Sequence, residues 1–393
     1  MTAVAKAIDR TVGFDIWQLW YVLAVAGALS GIAGALPMLR LAANRLVVGT
    51  PLTAAALGPA GWLIAALCLF GAIGLGASRS RFAALIALAT FATALVWLTV
   101  ALGQAATDLT AGQPPATRAR LASGGWAGLL MLTCAMTWAA GRARIGGAGW
   151  LAIASLLIAF VLLYRAGVYD SLSLAVEYRA RAASVQAAIV QHIALSAAAV
   201  VLAALTCALL YAWRSGRYAV DIAINGLQVV PAVALLGGLV ALVSGMLAAV
   251  PALRATGLSA IGPGPAVLAI ACYLLLPFWR GLEGALRAAD PATRDAATAI
   301  GLTRRQILLD IHLPLGAPIL IGALRVASVQ AIGLVTLGAL VGAGGLGGIV
   351  FDGMAQFAPD LILLGTLPVI GLSLLIERSL SVVEDAARRR LRG

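Results

Sequence analysis

Few side chains in this 393-residue sequence are of types that do chemistry, and their spacing excludes most kinds of active site. His192 and His312 stand 120 positions apart, so each reads as an interfacial polar residue, not as a metal ligand or part of a triad. Cys68, Cys134, Cys207 and Cys272 each fall inside an apolar run with no CxxC pair. They read as small apolar filler. Gly342, Gly344 and Gly347 fit GxGxxG spacing, but no strand pattern precedes them and no βαβ pattern follows. Close helix packing or a pore-lining turn explains them better than a dinucleotide site. A phosphate-cradling loop needs Gly-Lys-Ser/Thr, and the one lysine, Lys6, is followed by Ala7. The chain is therefore not expected to hydrolyse ATP by that route. No ladder of mid-span carboxylates suggests a proton relay, which weighs against a proton-coupled carrier.

The informative polar residues lie at 283–314, the longest charged segment away from the termini. Asp290 before Pro291 predicts a helix start, with Asp as N-cap and Pro at the first helical position. Residues 292–300 are mostly good helix formers, and Gly301 suits a left-handed helix end. Thr303 and Gln306 then have the spacing of a capping box. Ile307, Leu308 and Ile311 give the second helix an apolar face, and Pro314 is expected to stop it before the next apolar run. The segment therefore encodes helix, glycine turn, helix. Taken alone, it also fits an amphipathic loop lying on a membrane.

The pattern resembles the cytoplasmic signature of permease subunits of bacterial ABC importers: Glu-Ala-Ala, three residues, Gly, nine residues, then Ile-x-Leu-Pro. Here it reads Asp295, Ala296, Ala297, then Gly301, then Ile311, Leu313 and Pro314, with Asp replacing Glu at 295. The resemblance implies that this loop is the coupling helix, docked in a groove of a separate ATPase subunit, with Arg294, Asp295, Arg304 and Arg305 meeting that partner. It covers roughly residues 177–380. Further stretches resemble osmoprotectant (glycine betaine/choline) permeases: Gln228 to Gly237, Gly262 to Ile270, Tyr273 to Pro277 and Thr336 to Gly348. Methionine permeases share parts of these. The N-terminal portion resembles the membrane extension of one osmoprotectant branch.

The elements that must position this loop follow from composition. Hydrophobic residues make up 62% of the chain and charged residues 11%. A water-exposed surface needs far more charge, so lipid is the expected solvent. The net charge of +12 comes from short arginine clusters between apolar runs, which points to topology and not to nucleic acid. Runs long enough to cross a roughly 30 Å hydrocarbon layer stand at about 16–36, 60–77, 82–104, 124–140, 147–165, 188–213, 220–243, 264–282, 317–341 and 361–379. With both termini cytoplasmic, the inner segments hold 18 of the 27 basic residues and the outer segments eight, while Arg325 lies within a span. Arg40 and Arg45 run against that trend. A polar helical stretch, Glu177 to Gln191, marks the change between the halves.

The sequence thus predicts an all-α integral membrane protein of about ten transmembrane helices. Residues 1–170 form an N-terminal extension and 171–393 the permease domain. Asn225, Gln228, Arg325, Ser328, Gln330 and Thr336 remain polar at depth. They either hydrogen-bond between helices or line a translocation path. The resemblance implies a dimer of permeases, ATPase subunits that carry ATP and Mg, and an extracytoplasmic binding protein that delivers the solute. The implied location is the bacterial inner membrane. The substrate expected is a compatible solute such as glycine betaine or choline. An amino-acid (methionine-like) importer and an ATP-independent carrier are the alternatives.

Overall fold

A computed structural model of the chain describes residues 35–45, 47–77, 80–143 and 148–391. The expected span at 16–36 therefore lies almost wholly outside the described residues, as do Lys6, Arg10, Arg79, Arg144 and Arg392 of the charge analysis. The chain divides into two compact units, with the break between Ala180 and Arg181.

Among the described residues, the first unit has the helices α1 (Pro59–Ala77), α2 (Arg81–Thr110), α3 (Ser123–Ala143) and α4 (Ala148–Arg165). The 30-residue α2 is its axis. Ala84, Ala87, Ala94, Ala101, Ala105 and Ala106 are buried along it, and these small residues let neighbouring backbones approach. Phe91, Leu95, Leu98 and Leu102 fill the spaces between them. Ser80 caps α2 by accepting the Ala83 amide at 3.1 Å.

The fold is all-α as expected, with one small addition. Three short strands, β1 (Leu39–Ala42), β2 (Thr50–Leu52) and β3 (Arg118–Leu121), form an antiparallel sheet in the order β2-β1-β3. Leu39 pairs with Leu121 and Ala42 with Arg118. The sheet satisfies backbone groups in connections between helices, where no helix supplies partners. Its main pairing joins segments about eighty residues apart, which local patterning does not reveal.

Helical segment α5 (Ser173–Ala212) consists of two stretches separated by a kink with non-helical dihedrals at Arg181. The second unit continues with α6 (Arg217–Leu227), α7 (Ala232–Ala249), α8 (Pro263–Leu286), α9 (Pro291–Ala299), α10 (Leu313–Gly338), α11 (Leu346–Ala355) and α12 (Pro359–Arg390). Leu195, Ala199 and Ala203 of α5 recur at helical spacing and meet Ala266, Ala269 and Ile270 of α8 and Ala327, Ala331 and Val335 of α10 in one core. Many large apolar side chains point outward instead, among them Val201, Leu205 and Leu209 of α5. That inversion suits a lipid solvent.

Among the described residues, six helices are long and apolar enough to span a membrane: α2, α5, α7, α8, Arg304–Val341 and α12. The apolar portions Pro59–Gly74 and Ala152–Arg165 are shorter. The expected span 220–243 is corrected. Pro231, which lacks an amide for the helical ladder, separates amphipathic α6 from α7. Apolar α11, ten residues long, was not anticipated as an element.

Candidate functional site

The loop 283–314 is built as helix, glycine turn, helix. Asp290 occupies the N-cap position of α9 with extended dihedrals, but its side chain makes no capping bond, contrary to expectation. Pro291 at the first turn starts the helix instead. At the other end Gly301 has φ +88°, a left-handed conformation that suits glycine. The Leu302 amide there donates to the Ala297 carbonyl at 3.1 Å, and the Gly301 amide to Thr298 at 3.0 Å. Both bonds satisfy carbonyls that a helix end otherwise leaves open. The capping box is present: the Thr303 amide donates to Gln306 Oε1 at 2.9 Å, and Thr303 Oγ1 accepts the Gln306 amide at 3.3 Å.

Pro314 does not stop the second helix. Arg304–Gln306 passes through a wide, π-type turn at Ile307–His312 and runs unbroken into α10. The Leu313 amide donates to the Leu308 carbonyl five residues back. A proline ring clashes with the carbonyl four residues before it, and one widened turn relieves the clash without ending the helix. The loop's second helix and a membrane span are thus a single rod.

The residues expected to meet a partner are accessible. Arg294, Asp295, Ala296, Gly301, Arg304, Arg305, Leu313 and Pro314 are exposed and Ile311 is half-buried, while Ala297 is buried under α9. Ile300, beside the glycine turn, is 79% exposed, and Leu308 and Leu309 also face outward. These apolar side chains extend the charged surface; the helical spacing of residues 307–311 pointed to part of this face, but Ile300 gave no signal.

The polar residues at depth do not gather in one place. Asn225 accepts from Arg280 Nη2 at 3.1 Å, and Gln228 Nε2 donates to the Tyr273 carbonyl at 3.0 Å. Both tie the Pro231 break to α8. The Tyr273 hydroxyl donates to the Val230 carbonyl on the same seam. On α10, at 100° per residue, Arg325, Ser328 and Thr336 share a face and Gln330 points about 140° away. Arg325 reaches α12, with Nη1 2.6 Å from Glu377 Oε1.

His192 is corrected from an interfacial residue to a fully buried one, with Nε2 donating to the Ile332 carbonyl at 2.9 Å. A carbonyl only accepts, so the proton sits on Nε2. Beside it Gln191 clasps the glycine-rich turn: Nε2 donates to the Ala343 carbonyl at 3.0 Å, and Oε1 accepts the Gly345 amide at 2.9 Å. Gly344 has φ +80°, and a Cβ there would stand 2.6 Å from the Gln191 amide. The expected turn is therefore held by one residue, Gln191, more than 150 positions upstream, which no local sequence pattern marks.

A family model described as "Binding-protein-dependent transport system inner membrane component" matches residues 199–392. A second, "ABC transporter permease YehY, N-terminal domain", matches residues 17–175. The carnitine transport permease protein OpuCB of Listeria monocytogenes is 33% identical over 124 residues, 32% of this chain and 57% of that protein. That match spans little more than half of the relative's length. The carnitine transport permease protein OpuCD of the same organism is 32% identical over 200 residues, 49% of this chain and 82% of that protein. The chain belongs to the family of binding-protein-dependent transport system inner membrane components. Other relatives of this permease carry names for choline and for osmoprotectant import. Among solved structures, an inward-facing form of the MetNI methionine ABC transporter matches 52% of the permease and 95% of its own chain, at 21% identity and a TM-score of 0.44. The permease is a multi-pass protein of the inner membrane.

Proposed function

We propose that this permease is the membrane subunit of an ATP-driven importer that carries a compatible solute, of the glycine betaine, choline or carnitine class, into the cytoplasm. The observation that carries the reading is the loop from Asp290 to Pro314. It presents a capped, exposed double helix whose second half is continuous with a membrane span. A rigid rod passes on displacement that a flexible loop would absorb. Arg294, Asp295, Arg304 and Arg305 would meet an ATPase subunit, with Ile300 and Leu308 as apolar anchors. ATP and Mg would be held by that partner, and this chain would hydrolyse nothing.

A second permease subunit would complete the path, and an extracytoplasmic binding protein would deliver the solute. Residues 171–393 would form the permease domain, and 1–170 a membrane extension. Both termini would be cytoplasmic, which places the loop on the ATPase side. Ser328 and Thr336, on one face of α10, are the path residues this reading retains. The solute class rests on the relatives' names, carnitine, choline and osmoprotectant, and none of these points to methionine.

Uptake of radiolabelled glycine betaine, choline and carnitine by proteoliposomes tests the reading. The liposomes hold the permease with its ATPase and binding protein. Accumulation should require ATP inside and fall to background in Asp295→Arg. Accumulation driven by an ion gradient without the ATPase would sink it.

A further inference from the structure

Two helices of the second unit are joined by charge. Arg325 of α10 places Nη1 2.6 Å from Glu377 Oε1 and Nε 3.3 Å from Glu384 Oε2, both on α12. The second oxygen of Glu384 takes Arg388 Nη2 at 2.7 Å. The Glu384 side chain is 10% exposed and lies over Gly322, where a Cβ would sit 3.5 Å from its carboxylate. Charges at this depth persist only when paired. The cluster also stands at a defined place. Toward the coupling loop α10 and α12 part, leaving a groove of about 570 Å³ walled by Pro314, Ala317 and Ile321 on one side and Val383, Ala387 and Leu391 on the other. Apolar packing is interrupted there, and the ion pairs tie the helices at its inner end.

We propose that Arg325, Glu377 and Glu384 form a charge clamp that hands the loop's displacement from α10 to α12. α10 is one rod with the loop, so movement at Arg304 and Arg305 travels along it past the groove. The clamp is the tie next to that groove at which α12 must follow. Arg325 is then a positioning residue of the coupling machinery, not part of the solute path. This inference rests on the coupling role proposed for the loop.

The test uses the complete complex in proteoliposomes, reading solute uptake and ATP hydrolysis together. Arg325→Gln should leave the ATPase bound and hydrolysing, while uptake per ATP falls about fivefold or more, the scale of a typical coupling energy. Arg325→Lys should restore most of the ratio, because an ammonium still bridges the carboxylates. Glu377→Gln removes the more exposed carboxylate and should lower the ratio less, in a complex that keeps the Arg325–Glu384 pair. A purely structural role would instead lower the unfolding temperature with the ratio unchanged, and that result overturns the clamp. Gly301→Val separates the two ideas. If it leaves the ATPase bound and coupled, the loop reading fails and takes the clamp with it. If it uncouples while Arg325→Gln stays fully coupled, the clamp alone is wrong.

Discussion

Gln191 and Gly345 are joined by a hydrogen bond of 2.9 Å, from the glycine amide to the glutamine Oε1, across 154 positions of sequence. The glutamine Nε2 donates to the Ala343 carbonyl at 3.0 Å. One side chain therefore satisfies two backbone groups in the turn that starts α11, a turn whose Ala343 and Gly345 are buried. Gln191→Leu keeps the bulk and removes both bonds. A buried backbone group without a partner costs about 1–3 kcal/mol. The detergent-purified variant should unfold at a lower temperature and show faster amide exchange at residues 343–348. Unchanged exchange there would mean that the clasp does not hold the turn.

Gly301 has nothing within 4 Å of where a Cβ would stand, so substitution costs conformation, not space. A left-handed backbone costs an L-residue roughly 1–2 kcal/mol, and Asn tolerates it best. Gly301→Asn should therefore keep most ATPase co-purification, and β-branched Gly301→Val should lose it. Equal retention in both variants would show that the turn's handedness is unimportant.

The loop was legible because its signals are local. Thr303 and Gln306 lie three residues apart, and the glycine turn needs only Gly301 and its neighbours. The break at Pro231 was also written in the sequence, but the apolar run around it masks a proline that helices avoid. Pro314 misled in the opposite direction. In water it would end a helix, whereas here a widened turn lets the ladder continue into a span that must satisfy its own backbone in lipid. The burial of His192 depends on Ile332, and the pairing of Leu39 depends on Leu121. No local pattern carries such long-range partners. The Arg325 clamp falls between these cases: the arginine stood out as a charge at depth, but its pairing with Glu377 and Glu384 on α12 did not.

The seam between α8 and α10 is set by glycines. A Cβ on Gly281 would sit 2.2 Å from the Ala323 Cβ, and one on Gly316 would sit 2.6 Å from the Ala285 Cβ. Gly281→Val must push the helices apart, and overpacking of this kind costs about 1–3 kcal/mol or more. Gly333, on the same helix as Gly316, meets nothing within 4 Å. Gly333→Ala should be neutral or stabilise by about 0.5–1 kcal/mol through helix propensity. Thermal unfolding and size-exclusion profiles of the two variants should move in opposite directions. A stable, monodisperse Gly281→Val protein would refute the close seam.

Pro314 sets the rotational register between loop and span. Its ring forces the wide turn in which the Leu313 amide reaches Leu308, and one extra residue is absorbed there. Pro314→Ala restores an amide that can bond to the Asp310 carbonyl, and the turn is free to tighten to an ordinary helix. Removing one residue from the turn rotates Arg304 and Arg305 by about 100° relative to α10. The variant should insert and fold at least as well as the parent, with slower amide exchange over residues 308–314. Its ATPase should bind poorly or hydrolyse without uptake, because the contact face has swung away. Full uptake per ATP, together with the slowed exchange, would show that the register is not what the proline protects.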